Sequence, residues 1–324
     1  QTTDRQQGLA IDRAYLTLKY NMNSDWMMRI TTDVHLDTGL SKKNNNIFLK
    51  YAYVQGKLLG DAVVLRLGQS HTPWIDHEEH LWAHRYASPV FIDKHGFDAS
   101  SDLGIGLKGK LADGLVKYWV TETDGAGYSH PGMHQDTAGN WQKGLPKAFD
   151  FDSRIGIYPI EGLTLDFQFR DGYKGTKYYD AANNRTTPGT KHRLWQVMAT
   201  YGMGHDWRVG ANYVQEKSDR KADVLNAITA QTDKTTGYAL WGWTRFGDSS
   251  FGAYGRYDYD QKTRDTVPGI KQKTSRYLLG LEYFPAHNVT LSLVYDYSKT
   301  TNNKLTKGAI AKNTTYGLYS QFKF

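Results

Sequence analysis

Residues Leu163 to Arg170 read LTLDFQFR. Leu163, Leu165, Phe167 and Phe169 alternate with Thr164, Asp166, Gln168 and Arg170. Successive side chains of a strand point to opposite faces, so one face here is apolar and the other carries an acid and a base. The same alternation returns in Val289–Tyr297, where Val289, Leu291, Leu293, Tyr295 and Tyr297 oppose Thr290, Ser292, Val294 and Asp296. In Trp26–His35, Trp26, Met28, Ile30, Thr32 and Val34 oppose Arg29, Thr31, Asp33 and His35. Period two sustained over about ten residues is the signal of a strand that crosses a membrane.

Composition agrees. The 324 residues hold 23 Tyr, 9 Trp, 32 Gly and no Cys, and only 39% are hydrophobic. Mean hydropathy is −0.63. A spanning helix needs roughly 18 consecutive apolar residues, and no such run exists, so helical membrane proteins are excluded. Abundant rings and glycine suit a β-barrel with aromatic girdles and tight turns. Disulfides and cysteine metal sites are excluded outright. The net charge of +7 is spread through the strands without a basic run, which argues against nucleic acid as a partner.

Short turns, such as Leu58–Asp61, Ala112–Gly114 and Pro285–Asn288, alternate with long polar connections at 37–46, 70–100, 124–147, 172–191, 216–236, 260–273 and 298–312. This is the turn and loop asymmetry of an up-and-down antiparallel barrel, whose closure leaves no unpaired sheet edge in lipid. The chain ends in an amphipathic strand with Tyr316, Leu318, Phe322 and Phe324 on one face. That strand resembles the C-terminal recognition strand of bacterial outer-membrane proteins. About fifteen strands can be read, whereas bacterial barrels have even numbers, so one further N-terminal strand and a total of about sixteen are expected. The whole of 1–324 is then one barrel domain.

One segment breaks the pattern: Ser70–Phe97, SHTPWIDHEEHLWAHRYASPVFIDKHGF. Trp74, Leu81, Trp82 and Tyr86 stand at helical spacing among four histidines. It becomes the third extracellular loop once the extra strand is counted. Its expected place is inside the lumen, as a constriction at about 70–97. His77, His80 and His84 fall on one helical face and are weak metal candidates, but the i, i+4 histidine pair of H-E-x-x-H is missing. Ser70 lacks the second glycine of G-x-S-x-G, and no phosphate loop or catalytic cluster can be assembled, so neither an enzyme nor a cofactor is expected.

The chain resembles the porin superfamily, most nearly the phosphate-selective porin O/P type, in Ile11–Val34, in Lys50–Trp74 and in the aromatic C-terminal strand. The resemblance implies a water-filled outer-membrane channel, a homotrimer, and lipid and lipopolysaccharide as surroundings. It transfers no phosphate-binding arginine. The faces opposite lipid carry Arg29, Lys50, Arg66, Lys108, Lys110, Lys117, Arg154 and Arg170, and the inward loop adds Asp76, Glu78, Arg85 and Lys94. A base facing lipid at the membrane midplane costs about 2–4 kcal/mol, so these residues are expected to line a wet pore that favours small anionic solutes. Loop acids would oppose the basic wall, or pair with it and pin the loop. The rival reading is a binding or scaffold barrel, a sleeve for a periplasmic partner or a receptor, with a wide lumen left unfilled by 70–97. Ser101–Leu111, with Gly104, Gly106 and Gly109, reads as a weak lipid face where subunits could meet.

Overall fold

The computed structural model describes residues 8, 11, 13–35, 46–265, 270–302 and 310–323. The chain opens with β1 (Ala14–Asn21), β2 (Trp26–His35), β3 (Asn46–Leu59) and β4 (Val63–His71). Helices α1 (Ile75–Trp82) and α2 (Phe91–Lys94) precede β5 (Ser101–Leu111) and β6 (Val116–Thr123). A small hairpin of β7 (Met133–Gln135) and β8 (Trp141–Lys143) leads to β9 (Asp150–Ile157) and β10 (Thr164–Gly172). A second hairpin, β11 (Tyr179–Asp180) and β12 (Arg185–Thr186), comes before β13 (Thr190–Met203) and β14 (Trp207–Arg220). The chain closes with β15 (Gln231–Arg245), β16 (Phe251–Arg264), β17 (Ile270–Ala286), β18 (Val289–Asn302) and β19 (Ile310–Phe322).

The two hairpins aside, these strands form one 15-stranded sheet in sequence order, with β1 and β19 at its ends. Every neighbouring pair is antiparallel, the arrangement of an up-and-down barrel wall. The extra strand expected from parity would precede Gln1 and lies outside the described residues. Short turns fall at one end of the sheet and most long connections at the other, but the expected long connection 260–273 shrinks to 265–269, no longer than the turn at 246–250. Expected connection 216–236 shrinks to 221–230, because the β14 and β15 ladder runs on to the Arg220–Gln231 pair.

The faces are inverted relative to a soluble protein. On β10, Thr164, Asp166, Gln168 and Arg170 are buried, whereas Leu165, Phe167 and Phe169 are 43%, 44% and 38% exposed. Charge inside and apolar bulk outside is the distribution that lipid stabilises. Tyr316, Leu318 and Phe322 likewise point outward from β19. Tyrosines 238, 257, 277 and 297 form a row across the outside of β15 to β18, with neighbouring rings 6.0, 4.8 and 6.4 Å apart. The row is part of an interfacial girdle. The glycines of β5 divide between its two faces, with Gly109 in step with the outward Ile105 and Leu107. Gly104 and Gly106 alternate with the exposed Ile105 and Leu107, so these glycines face the lumen and the outer face is apolar. A Cβ on Gly106 would come 3.1 Å from the Trp119 indole nitrogen.

The connection from β4 to β5 folds into the barrel. Its Trp74, Ile75, Trp82, Val90, Phe91, Ile92 and Phe97 are at most 2% exposed. They pack on Leu194, Met198, Val214, Ala239, Trp241, Leu278 and Val294, the inward side chains of β13 to β15, β17 and β18. Each large side chain buried this way contributes about 1.5–3 kcal/mol. The loop therefore lies on an apolar patch of the wall, with Arg256, Asp258, Arg276 and Glu282 of β16 and β17 buried around it. Gly237 leaves room for it, since a Cβ there would meet the Phe91 ring at 2.7 Å. The expected helix is also shorter than its apolar spacing suggested. Ala83 adopts φ 62° and donates its N–H to the Glu79 carbonyl, which ends α1 before His84 and Tyr86.

Candidate pore wall and the loop inside it

The loop is held by side chains from distant strands. His84 Nε2 lies 3.1 Å from Glu282 Oε2, and the Tyr86 hydroxyl donates to Glu282 Oε1 at 2.6 Å. Trp243 Nε1 donates to the Leu81 carbonyl, and Arg256 to the Pro89 carbonyl. His95 Nδ1 lies 2.7 Å from Asp260 and its Nε2 lies 3.6 Å from Asp258. Burial pulls the His95 imidazolium down, but these two carboxylates outweigh it and hold its pKa above the ordinary value. Asp98 takes Arg170, and His77 Nε2 sits 3.0 Å from Asp166. On His77 burial dominates and keeps the pKa low, so this contact is a hydrogen bond from a neutral ring to the carboxylate.

Pinning consumes several of the expected pore cations. Arg154 is bound by Asp166 and Arg170 by both Asp98 and Asp150. Arg256 and Arg276 share Asp258, and Asp296 takes the other edge of Arg276. Arg85 turns back on Glu79 and Asp93 within the loop. Lys110 sits at the short-turn rim, 3.9 Å from Asp61. Burial lowers the Lys94 pKa, and the residue lies in the field of Arg276, Asp296, Arg256 and Asp258.

The wall of β2 to β6 is different. Among the described residues, no carboxylate comes within 4 Å of Arg29, Lys50, Arg66, Lys108 or Lys117. Rings take the place of acids. The Arg29 guanidinium lies 4.7 Å from the Tyr51 ring centre, and Arg66 lies 4.7 Å from both Tyr53 and Trp119. Lys108 is 4.9 Å from Trp119, Lys117 is 3.9 Å from Tyr158, and Lys50 is 4.5 Å from Tyr128. Such contacts contribute about 0.5–2 kcal/mol and leave the charge unneutralised. Strand register sets these cations in sequence along the barrel. Lys50 lies nearest the long loops, Arg29 pairs with Tyr53, Arg66 with Gln55, and Lys108 with Val64, which pairs with Lys57.

Two local irregularities put charge on this wall. The pairing of β2 with β3 skips from Tyr51 to Leu49, so Lys50 is the extra residue of a bulge. Lys50 is thereby buried beside Tyr51 instead of alternating with it, and donates to Ser100 Oγ at 2.9 Å. In β4, Gly68 takes φ +114°, and a Cβ there would lie 2.3 Å from the Ala52 carbonyl oxygen. A regular strand places residues five apart on opposite faces. Across Gly68, Arg66 Nη1 reaches His71 Nδ1 at 3.3 Å, and His71 stacks on Tyr51 at 3.8 Å.

The loop acids divide. Asp76 lies 3.5 Å from His71, on the basic side. Burial pushes its carboxyl up, but His71, His80, Arg66 and Lys108 outweigh this and hold it below the usual range. Burial raises the Glu79 carboxyl against the pull of Arg85 and Lys50. Glu78 does not oppose the basic wall. It points the other way, accepting from Trp74 Nε1 at 2.7 Å and Asn212 Nδ2 at 2.9 Å, and burial pushes its pKa up to about 7. The three histidines do not converge either: His77 meets Asp166, His80 lies against the Asp76 carbonyl, and His84 meets Glu282. Among the described residues no cluster of metal-binding side chains forms. Sequence reading missed Tyr51, Tyr53, Trp119, Tyr158 and His71. Aromatic residues beside inward cations were the available signal.

Over residues 1–324 the sequence matches the family described as phosphate-selective porin O and P. The chain belongs to that family. The porin is an outer-membrane diffusion channel of a bacterium, with its apolar belt in lipid. No curated protein matches it. Its fold is shared by solved structures of low identity. One is outer-membrane expressed OmpT of Vibrio cholerae, 13% identical over 96% of this chain and 88% of that one, with a TM-score of 0.62. A second is an OmpF of Salmonella typhi in complex with daunomycin, 12% identical over 98% and 93% of the two chains, TM-score 0.61. A third is an anion-selective porin from Comamonas acidovorans, 12% identical over 96% and 88%, TM-score 0.56.

Proposed function

We propose that the porin favours small hydrophilic anions, with residues 70–97 as its constriction. One observation carries this reading: Arg29, Lys50, Arg66, Lys108 and Lys117 follow one another along the wall with rings, not acids, beside them. Paired charges cancel at a distance, whereas unpaired ones add to a field that raises the local anion concentration. The solute path runs between this wall and Asp76 on the loop, and Arg154 and Arg170 serve to pin the loop instead. The short-turn end faces the periplasm and the long-loop end faces lipopolysaccharide. Three copies assemble as the family resemblance implies. Planar bilayers in a salt gradient test the selectivity. A reversal potential of anion-selective sign is expected, and a cation-selective sign overturns the reading while leaving the channel intact.

A further inference from the structure

A second recess opens beneath the loop, at the short-turn end and against the opposite wall. Its volume is 800 Å³, and it takes residues from α1 and its exit, β14, β15, β17, β18 and β19, but none from β2 to β6. Small-molecule sites commonly occupy about 300–1,000 Å³, far more than an inorganic oxyanion needs.

Two arginines face it without acids. Among the described residues Arg208 donates only to the Gly162 carbonyl and Thr200 Oγ1, and the Arg245 guanidinium rests 4.5 Å from the Phe284 ring centre. Among the described residues, no carboxylate lies within ion-pair range of either arginine. Register explains their convergence: Arg208 pairs with Trp243, and Arg245 is two residues further along β15 on the same face. Gly252 stands between Arg245 and Glu282, where a Cβ would meet the Thr244 carbonyl oxygen at 2.9 Å, Glu282 at 3.1 Å and Phe284 at 3.3 Å. Glu282, the carboxylate lining the recess, is already engaged by His84 and Tyr86. Trp243, Phe284 and Tyr86 supply flat apolar surface beside the arginines.

We infer that this recess binds aromatic carboxylates, with the carboxylate on Arg208 and Arg245 and the ring against Trp243 and Phe284. A guanidinium edge matches a carboxylate in two parallel hydrogen bonds, and the volume and rings select an anion with a planar body over a bare oxyanion. The inference rests on the channel reading only in placing the site within reach of solutes that pass the constriction.

The test is calorimetric titration of the full chain in uncharged detergent with phenylacetate, then with inorganic phosphate as competitor. Wild type is expected to bind phenylacetate, with phosphate competing weakly. The double variant Arg208→Gln, Arg245→Gln is expected to lose at least ten-fold in affinity, and Trp243→Ala several-fold. Unchanged binding in the double variant, or equal competition by phosphate, overturns the aromatic-carboxylate site. Circular dichroism confirms that each variant keeps its strand content. Trp243→Phe, which keeps a ring in the recess, is expected to bind within a few-fold of wild type, and total loss of binding there also overturns the inference. Bilayer conductance on the same preparations tests the channel separately, since Arg208 and Arg245 lie off the wall proposed to conduct.

Discussion

His84 and Glu282 stand 198 positions apart in the chain, yet His84 Nε2 meets Glu282 Oε2 at 3.1 Å. The contact fastens the exit of α1 to β17, and the Tyr86 hydroxyl uses the other carboxylate oxygen. Glu282→Ala removes the acceptor for both. Each buried polar group left unpaired costs about 1–3 kcal/mol, enough to release this end of the loop without opening the sheet. Limited proteolysis of the folded porin should then cut within 72–100 faster than in wild type. An unchanged cleavage rate would show that apolar packing alone holds the loop.

Trp82 carries that apolar packing. It is 1% exposed, and its ring meets Trp241 and Tyr254 edge to face, each at 5.8 Å. Trp82→Ala should cost the loop about 3–5 kcal/mol in docking. Single-channel recordings are expected to show larger, noisier currents while strand content by circular dichroism stays constant. A quiet current of wild-type size would contradict the docking role.

Arg66 and Lys108 share the Trp119 ring and have no acid of their own among the described residues. A cation about 4 Å from a passing ion contributes about 1 kcal/mol in water, or about five-fold in relative permeability. Arg66→Gln with Lys108→Gln should therefore reduce the anion-to-cation permeability ratio by five-fold or more in bilayer reversal potentials. Arg170→Gln, whose charge is spent on Asp98 and Asp150, should move the ratio far less and damage loop anchoring instead. Equal effects from the two walls would refute the division between them.

Loop docking should weaken as pH rises through neutrality. Burial pushes the Glu78 carboxyl up to about 7 from 4.5, against Trp74, Arg256 and Asn212. For His95, burial lowers the pKa but Asp258 and Asp260 raise it more, so it ends above 6.5. Both groups hold a proton more tightly when docked than when released. Their contribution is thus full below the released values and lost as pH climbs through the docked ones. His77, lowered by burial, acts in the opposite sense only below 6.5. Hydrogen exchange of residues 74–98 should accelerate as pH climbs from about 6.5 through 7 and the raised His95 value, beyond its intrinsic base dependence. The double variant Glu78→Gln, His95→Gln should flatten that excess. A loop that tightens over this range would disprove the assignment.

The strands were legible because alternation is a local property. Leu165, Phe167 and Phe169 declare their face through their nearest neighbours, whatever the rest of the chain does. Turn and loop asymmetry, the odd strand number and the segment that would enter the lumen follow from the same one-dimensional reading.

The sequence could not separate Arg66 from Arg170. Both are arginines on inward faces of alternating strands. One meets Tyr53 and Trp119, the other Asp98 and Asp150, and those partners arrive from other strands or from the returning loop. Tertiary structure alone also decided that Glu78 turns away from the basic wall, that Lys50 enters the lumen through a bulge, and that Arg208 and Arg245 share a recess. Period two tells which way a side chain points. Which charge it meets there depends on register, bulges and the wall on which a loop finds an apolar bed, and these are contacts between residues far apart in the chain.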